Sequence, residues 1–234
     1  MLRALLFSTG VALCVAAAPD TARSHDGHAT SPSPGRTADY AFPLAKPGSY
    51  LLPAIKPAAG GSVLDETGHR HELGDLVRGR VTVLAFIYTR CGDLCPAAAL
   101  DMSRFQDLAA KDRAVASGSQ LVTMSFDPEH DTPDVMREYA AQWRGADRDL
   151  PDWLFLTAPD QQTVAPMLAA YDQQVSRIRD STGSASSFSH IFRAFLIDQQ
   201  GVIRNIYSLD FFDPRLVLND VRTLLMNGRA GPEK

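Results

Sequence analysis

Three residues of this 234-residue chain have the types and spacing that could do chemistry: Cys91, Cys95 and His190. The cysteines lie in Cys91-Gly92-Asp93-Leu94-Cys95-Pro96, with three residues between them where the dithiol redox motif Cys-x-x-Cys has two. That spacing sets the sulfurs about one helical turn apart, so the pair can close a disulfide or pinch one soft ion. Sulfur at the start of a helix sees the positive end of the peptide dipoles, which favours thiolate, the form that attacks disulfides and binds soft metals. His190 stands between a Ser-rich stretch and an apolar run, from where a flexible segment could hang its imidazole over the cysteine turn. Two thiolates and an imidazole with no carboxylate suit three-coordinate cuprous ion, and the set could also hold zinc or cupric ion. Zinc on three protein ligands would be an open, catalytic-type site, and no carboxylate close in sequence offers itself as a base. A purely structural disulfide is the bland alternative, and the chain-entropy estimate gives so short a loop only about 2 kcal/mol.

The elements that must position these residues follow from the hydrophobic pattern. Residues 81–88 form an unbroken apolar and β-branched run, the signature of a strand buried on both faces, and they empty directly into the cysteine turn. Pro96 suits the first turn of a helix, and Ala98, Met102, Phe105, Leu108 and Ala109 continue at helical spacing in a helix expected to end before Gly118. Residues 121–126 read as a second central, parallel strand, completing a βαβ unit with the cysteines at its first turn. The loop Asp127-Pro128-Glu129-His130-Asp131 leads to Thr132 as N-cap and Pro133 as first residue of the next helix, which carries Val135, Tyr139 and Trp143. A short strand at 153–157 and a helix at 161–171 follow. Residues 180–187 have no apolar pattern and read as a mobile loop. A strand at 190–197, a turn at 198–201, a return strand at 202–207 and a helix opened by Asp213-Pro214 end the domain. Upstream, residues 62–73 read as a hairpin turning at Asp65-Glu66-Thr67-Gly68, with His69 and His71 on a solvent-facing edge. The expected fold is α/β: a thioredoxin-like mixed sheet flanked by helices, with an N-terminal β-hairpin extension.

A formal charge of −4 supplies no basic face for nucleic acid. The start Met-Leu-Arg and the apolar run to Ala18 have the pattern of a secretory signal, taken as residues 1–22, so Cys14 leaves with it and the protein is exported. Residues 23–48, rich in Ala, Ser, Pro and Gly and containing His25 and His28, read as a disordered linker. A thioredoxin-like domain at 49–228 and a flexible tail at 229–234 complete the organisation. Export to an oxidising compartment makes the redox state of Cys91 and Cys95 a functional question.

Three separated motifs occur in order: Phe86-Ile87-Tyr88-Thr89-Arg90-Cys91-x-x-x-Cys95-Pro96, Ser125-Phe126-Asp127-Pro128-Glu129-His130-Asp131-Thr132-Pro133, and Ser189-His190 leading to Phe195-Leu196-Ile197-Asp198. Together they resemble the Sco/SenC family over roughly residues 51–225. The resemblance implies a thioredoxin-like, exported copper-binding protein that helps build the dinuclear copper centre of cytochrome c oxidase. Its copper ligands would be Cys91, Cys95 and His190, with Asp127 supporting the site from its loop. Gly92 and Ser189 depart from the family pattern, where proline and an acidic residue are common. Gly92 would loosen the turn and Ser189 removes a charge that could tune the metal.

Two functions follow. One is a periplasmic copper metallochaperone serving the copper-accepting subunit of cytochrome c oxidase and other copper chaperones, acting as a monomer that is soluble or peripherally associated with the membrane. The alternative is a thiol:disulfide oxidoreductase that reduces the acceptor's cysteines before metallation, with Cys91 attacking and Cys95 resolving the mixed disulfide.

Overall fold

The computed structural model describes residues 43–92, 94–145, 150–179 and 185–229. The segments expected to be signal peptide and tail, and the linker up to residue 42 with His25 and His28, lie outside the described residues.

An eight-stranded mixed sheet is flanked by helices. Its strands are β1 (Lys56–Pro57), β2 (Ser62–Asp65), β3 (Arg70–Glu72), β4 (Val81–Ile87), β5 (Ser119–Ser125), β6 (Asp152–Thr157), β9 (Arg193–Ile197) and β10 (Val202–Ser208). Their order in space is β1-β10-β9-β4-β5-β6-β2-β3. β4, β5 and β6 run parallel, and antiparallel partners complete both sides. Every residue of β4 and of β5 is buried: β4 is apolar but for Thr82, whereas β5 also buries Ser119, Gln120, Thr123 and Ser125, with Gln120 donating to Thr82 Oγ1 at 2.9 Å. The N-terminal hairpin is β2–β3, and it extends the sheet because β2 pairs with β6. His71 Nε2 lies 2.7 Å from Asp65 Oδ2 and His69 Nδ1 lies 2.7 Å from Thr67 Oγ1, so both imidazoles are engaged by the hairpin's own turn. A separate two-stranded sheet pairs β7 (Val175–Arg179) with β8 (Ala185–His190).

The helices are α1 (Leu73–Leu76), α2 (Leu94–Ala109), α3 (Arg113–Gly118), α4 (Pro133–Trp143), α5 (Gln161–Ala170) and α6 (Pro214–Arg229). The helix expected to run on towards Gly118 is two. Asp112 takes an extended conformation after α2 and caps a new helix, its carboxylate accepting from the N–H groups of Ala114 and Val115. Thr132 is the N-cap of α4 with Pro133 in the first turn, as its sequence predicts. The expected single strand at 190–197 is also broken. Ile191 is 61% exposed, whereas Phe192 turns inward to Phe212 at 5.9 Å, so His190 belongs to the small sheet and Arg193 opens β9 of the large one.

The core sits between the central strands and the helices. Phe86, on β4, meets Tyr171 and Phe195 at ring separations of 5.1 and 6.1 Å, and Tyr171 also donates its hydroxyl to Ala59 O at 3.0 Å. A second knot is polar: the Asp220 carboxylate on α6 accepts from the hydroxyls of Tyr50 and Tyr207 and the amide of Asn205. Near it, Gly48 N donates to Thr223 Oγ1 and Asn219 donates to Ala45 O, so residues 45–48, assigned to the linker on composition, are held against α6. Burial pushes the Tyr207 phenol well up, the neighbouring carboxylate adding to it, and Tyr50 is pushed up to about 12 by burial and its bond to Asp220.

Phe86 supports the strand that aims the cysteines, and its side chain is fully buried. Phe86→Ala is expected to destabilise the domain by about 3–5 kcal/mol, read as a lower urea midpoint at unchanged slope. A loss below about 1 kcal/mol would show that this ring does not organise the core.

Candidate metal centre

Strand β4 delivers the cysteine turn. The chain leaves the sheet after Ile87, whose carbonyl accepts from Phe126 N at 3.0 Å, and Tyr88 O accepts from Cys91 N at 3.2 Å. Helix α2 begins at Leu94, two residues earlier than Pro96 suggests, which puts Cys95 inside the first turn and Cys91 just ahead of it. Cys95 N donates to Cys91 Sγ at 3.3 Å, so a helix-terminal N–H that has no helical partner is satisfied by sulfur. Neither cysteine is in a disulfide, and both are buried, Cys91 8% and Cys95 1% exposed. The helix dipole does not decide the state of Cys95. Its hydrogen bond to Cys91 and its burial push the thiol far up, so in the metal-free reduced protein Cys95 keeps its proton. A soft ion would displace that proton on binding.

The loop after β5 braces the turn. The Asp131 carboxylate is fully buried and accepts from Thr89 N at 2.9 Å, Thr89 Oγ1 at 2.5 Å and Ser125 Oγ at 2.5 Å, with His130 Nδ1 at 3.0 Å. Asp127, also buried, accepts from Arg90 Nη2 at 2.7 Å. The two residues preceding Cys91 are thus tied to the two carboxylates of one loop. Asp127, for which the family resemblance implies a supporting role, touches the cysteine turn through Arg90. Asp131, Thr89 and Arg90 are absent from the sequence-based set of site residues. The signal that could have found Asp131 is a carboxylate between a buried strand and a helix cap, a place where burial demands donors.

His190 comes from β8. Its Nε2 lies 3.9 Å from Cys95 Sγ, although 95 residues separate the two in sequence. The ring packs against Phe126 at 5.1 Å and Tyr88 at 5.7 Å, and Phe188 closes the same aromatic group at 5.1 Å from Tyr88 and 5.4 Å from Phe126. Burial pulls the imidazole's pKa down, against an opposing pull from Cys91, which favours the neutral ring that can donate a lone pair. The stretch 180–187, expected to be a mobile loop, is corrected in part. Its end belongs to strand β8, with Ser187 opposite Ile178 and Phe188 opposite Arg177, and residues 180–184 lie outside the described residues. Ser189 is exposed opposite Ser176. A Cβ added at Gly92 would meet open space, so no close contact demands glycine there.

The arrangement fits a soft ion by donor type: two sulfurs at a helix start and an imidazole against an aromatic wall, with no carboxylate among them. At 3.9 Å apart, Cys95 Sγ and His190 Nε2 are close enough that both could be ligands to one soft ion, were it bound. Among the described residues, only Asp127, His130 and Asp131 offer three ligand atoms all within 4.8 Å of one another. Those carboxylates are already committed to Arg90, Thr89 and Ser125. Cys91, Cys95 and His190 are not all within that spacing of one another.

Comparisons with known proteins bear on the fold and the family. The SCO1 protein homolog of Bacillus subtilis is 30% identical over 88 residues, which are 38% of this chain and 42% of that protein. The crystal structure of Arabidopsis thaliana ScoI with copper bound superposes with a TM-score of 0.62 at 19% identity, covering 73% of this chain and 98% of that one. A structure of BsSco, described as a member of the Sco family of cytochrome c oxidase assembly proteins with a disulfide switch, gives a TM-score of 0.57 at 20% identity, covering 74% of this chain and 96% of that one. These likenesses establish the thioredoxin-like fold of the Sco proteins. The family model SCO1/SenC matches residues 62–226, and the chain belongs to that family.

Proposed function

We propose that this protein is an exported copper metallochaperone that holds copper through Cys91, Cys95 and His190 and assists assembly of the dinuclear copper centre of cytochrome c oxidase. The observation that carries the reading is the approach of His190 Nε2, carried by the small sheet, to within 3.9 Å of Cys95 Sγ on α2, next to a second cysteine that is in no disulfide. Family membership supports it, as do the copper-bound state of the Arabidopsis relative and the oxidase-assembly role stated for BsSco. In this reading the copper-accepting subunit of the oxidase receives the metal, other copper chaperones supply it, and the protein works as a monomer. The signal-like residues 1–22 direct export to the periplasm or an equivalent compartment, and residues 23–42 tether the domain. Among the described residues no helix is long and apolar enough to cross a membrane.

The chain's own groups divide the task. Cys91, the more exposed thiol, is the first to meet an incoming ion. Cys95 gives up its proton as it binds. The neutral imidazole of His190 closes the site, while Tyr88, Phe126 and Phe188 keep water from its inner side. Copper, when bound, supplies the cargo and a redox-active centre.

The geometry also favours a second reading, thiol:disulfide exchange. Cys91 is more exposed than Cys95, and Cys95 carries the raised pKa of a resolving thiol. Cys91 thiolate would attack an acceptor disulfide, releasing one acceptor thiolate. Cys95, on losing its proton, would then displace the other, leaving the acceptor reduced by two electrons and Cys91–Cys95 oxidised.

Reduced protein is expected to take up about one cuprous ion. His190→Ala should weaken retention by more than the roughly 10- to 100-fold that loss of an outer-shell partner costs, measured by competition with a cuprous chelator. Uptake far below one ion per chain, or retention indifferent to His190→Ala, sinks the chaperone reading. The exchange reading predicts that reduction of an acceptor disulfide survives His190→Ala and vanishes in Cys91→Ser.

Asp131 gives a separate check on the brace. Asp131→Asn turns an acceptor-only group into one that also presents donors to Thr89 and Ser125, with an expected loss of about 2–3 kcal/mol in denaturant unfolding. Copper retention should drop roughly 10- to 100-fold at temperatures where the variant stays folded. Full retention would show that the brace is not needed to shape the cysteine turn.

A further inference from the structure

His190 sits on the least secured part of the fold. β7 and β8 pair only with each other among the described strands, and a two-stranded hairpin is marginal by itself in water. The position of the imidazole therefore depends on what anchors this hairpin to the body of the domain. Phe188 and His190 lie two residues apart on β8, hence on one face, and both pack on Tyr88 and Phe126.

A second anchor is charged. Arg177 stands opposite Phe188 in the β7–β8 register, and its guanidinium lies 5.2 Å above the Phe188 ring. From there its Nη2 donates to Glu129 Oε2 at 2.8 Å. Glu129 is the middle one of three acidic residues spaced two apart in the loop after β5. Asp127 and Asp131, on either side, hold Arg90 and Thr89 of the cysteine turn. One loop therefore grips both halves of the centre, the thiols from one side and the imidazole's hairpin from the other.

We propose that Glu129 and Arg177 are positioning residues for the metal centre, a latch that sets the spacing between His190 and the cysteine pair and so governs how readily a bound soft metal is released. This rests on the reading of His190 as a ligand. The ion pair is partly exposed, with side chains 60% and 33% accessible, so it is weak by itself and screened by salt. The stacking of Arg177 on Phe188 lies within the hairpin, so it holds the guanidinium in place for Glu129, and the ion pair is the part of this contact that is lost when the hairpin lifts. Weakness suits this role, because a cargo site must open.

The test uses the full chain loaded with one cuprous ion under reducing conditions, with transfer to a colorimetric cuprous chelator followed in time. Glu129→Gln and Arg177→Gln are each expected to speed release roughly 3- to 10-fold, with little further gain in the double variant because the two act as one contact. Release from the unsubstituted protein should quicken with ionic strength, and that salt effect should shrink in either variant. The readout that a merely structural role would not reproduce is the background dependence: in His190→Ala, adding Glu129→Gln should change the release rate by less than about twofold. Equal acceleration with and without His190, or no acceleration by either single variant, overturns the latch. If His190→Ala alone leaves release unchanged, the ligand reading falls and the latch falls with it. If His190→Ala speeds release while the latch variants do nothing, the ligand reading stands and only the latch is refuted.

Discussion

The buried carboxylate of Asp131 is the interaction on which the rest of the centre depends. A charge removed from water persists only if its lone pairs are filled, and here they are filled by the backbone and hydroxyl of Thr89, by Ser125 and by His130. Thr89 lies just beyond β4, two residues before Cys91, and Ser125 is the last residue of β5. The carboxylate thus bridges the ends of two adjacent parallel strands. It defines where the chain turns before the first sulfur. Arg90 is restrained in parallel by Asp127, so the approach to the cysteines is held at successive residues.

That rigidity is compatible with both chemistries proposed for the thiols. Cys95, buried in the first turn of α2 and hydrogen-bonded to Cys91, is a poor acid in the absence of metal. As a resolving thiol it must lose that proton to complete exchange, and as a ligand it must lose it to the incoming ion, so both paths run through the same event. The environment differs on the other side of the cleft. The aromatic wall of Tyr88, Phe126 and Phe188 disfavours a charged imidazole, and a neutral imidazole is what a soft cation needs. An oxidoreductase has no evident use for that histidine, which is why its presence beside Cys95 weighs towards metal binding.

Much of this was legible in the sequence, for physical reasons that can be named. Strands β4 and β5 are buried on both faces, so their composition could hardly read as anything else, and Thr132-Pro133 announces the start of α4 through capping chemistry alone. The cysteines declare themselves by type and spacing. What escaped was whatever depends on long-range partners. Asp112 splits a continuous apolar pattern into two helices because a local side-chain cap outcompetes the helical one, and no periodicity reports that. Residues 185–187 look like loop because Ala-Ser-Ser carries no apolar pattern, and their strand character comes from pairing with β7, which sequence does not report. The acidic residues of the loop after β5 are visible in sequence, but their roles are fixed by Arg90, Thr89 and Arg177, which arrive from elsewhere in the chain.

The centre is therefore built from halves of unequal stiffness. The cysteines sit where a fully buried strand meets a 16-residue helix, braced by buried carboxylates. The histidine rides on a hairpin held by the packing of Phe188 and His190 on Tyr88 and Phe126 and by one partly exposed ion pair. Openings of low free energy concentrate in elements of the second kind, since few buried contacts must be broken for them to move. For a resident cofactor such asymmetry would be a defect, because the weakest ligand sets the rate of loss. For cargo it has a use. Under the proposed reading, the thiols would stay in place while the hairpin that carries His190 could part from them, and the loop that carries Asp127, Glu129 and Asp131, touching both halves, would bias how often it does.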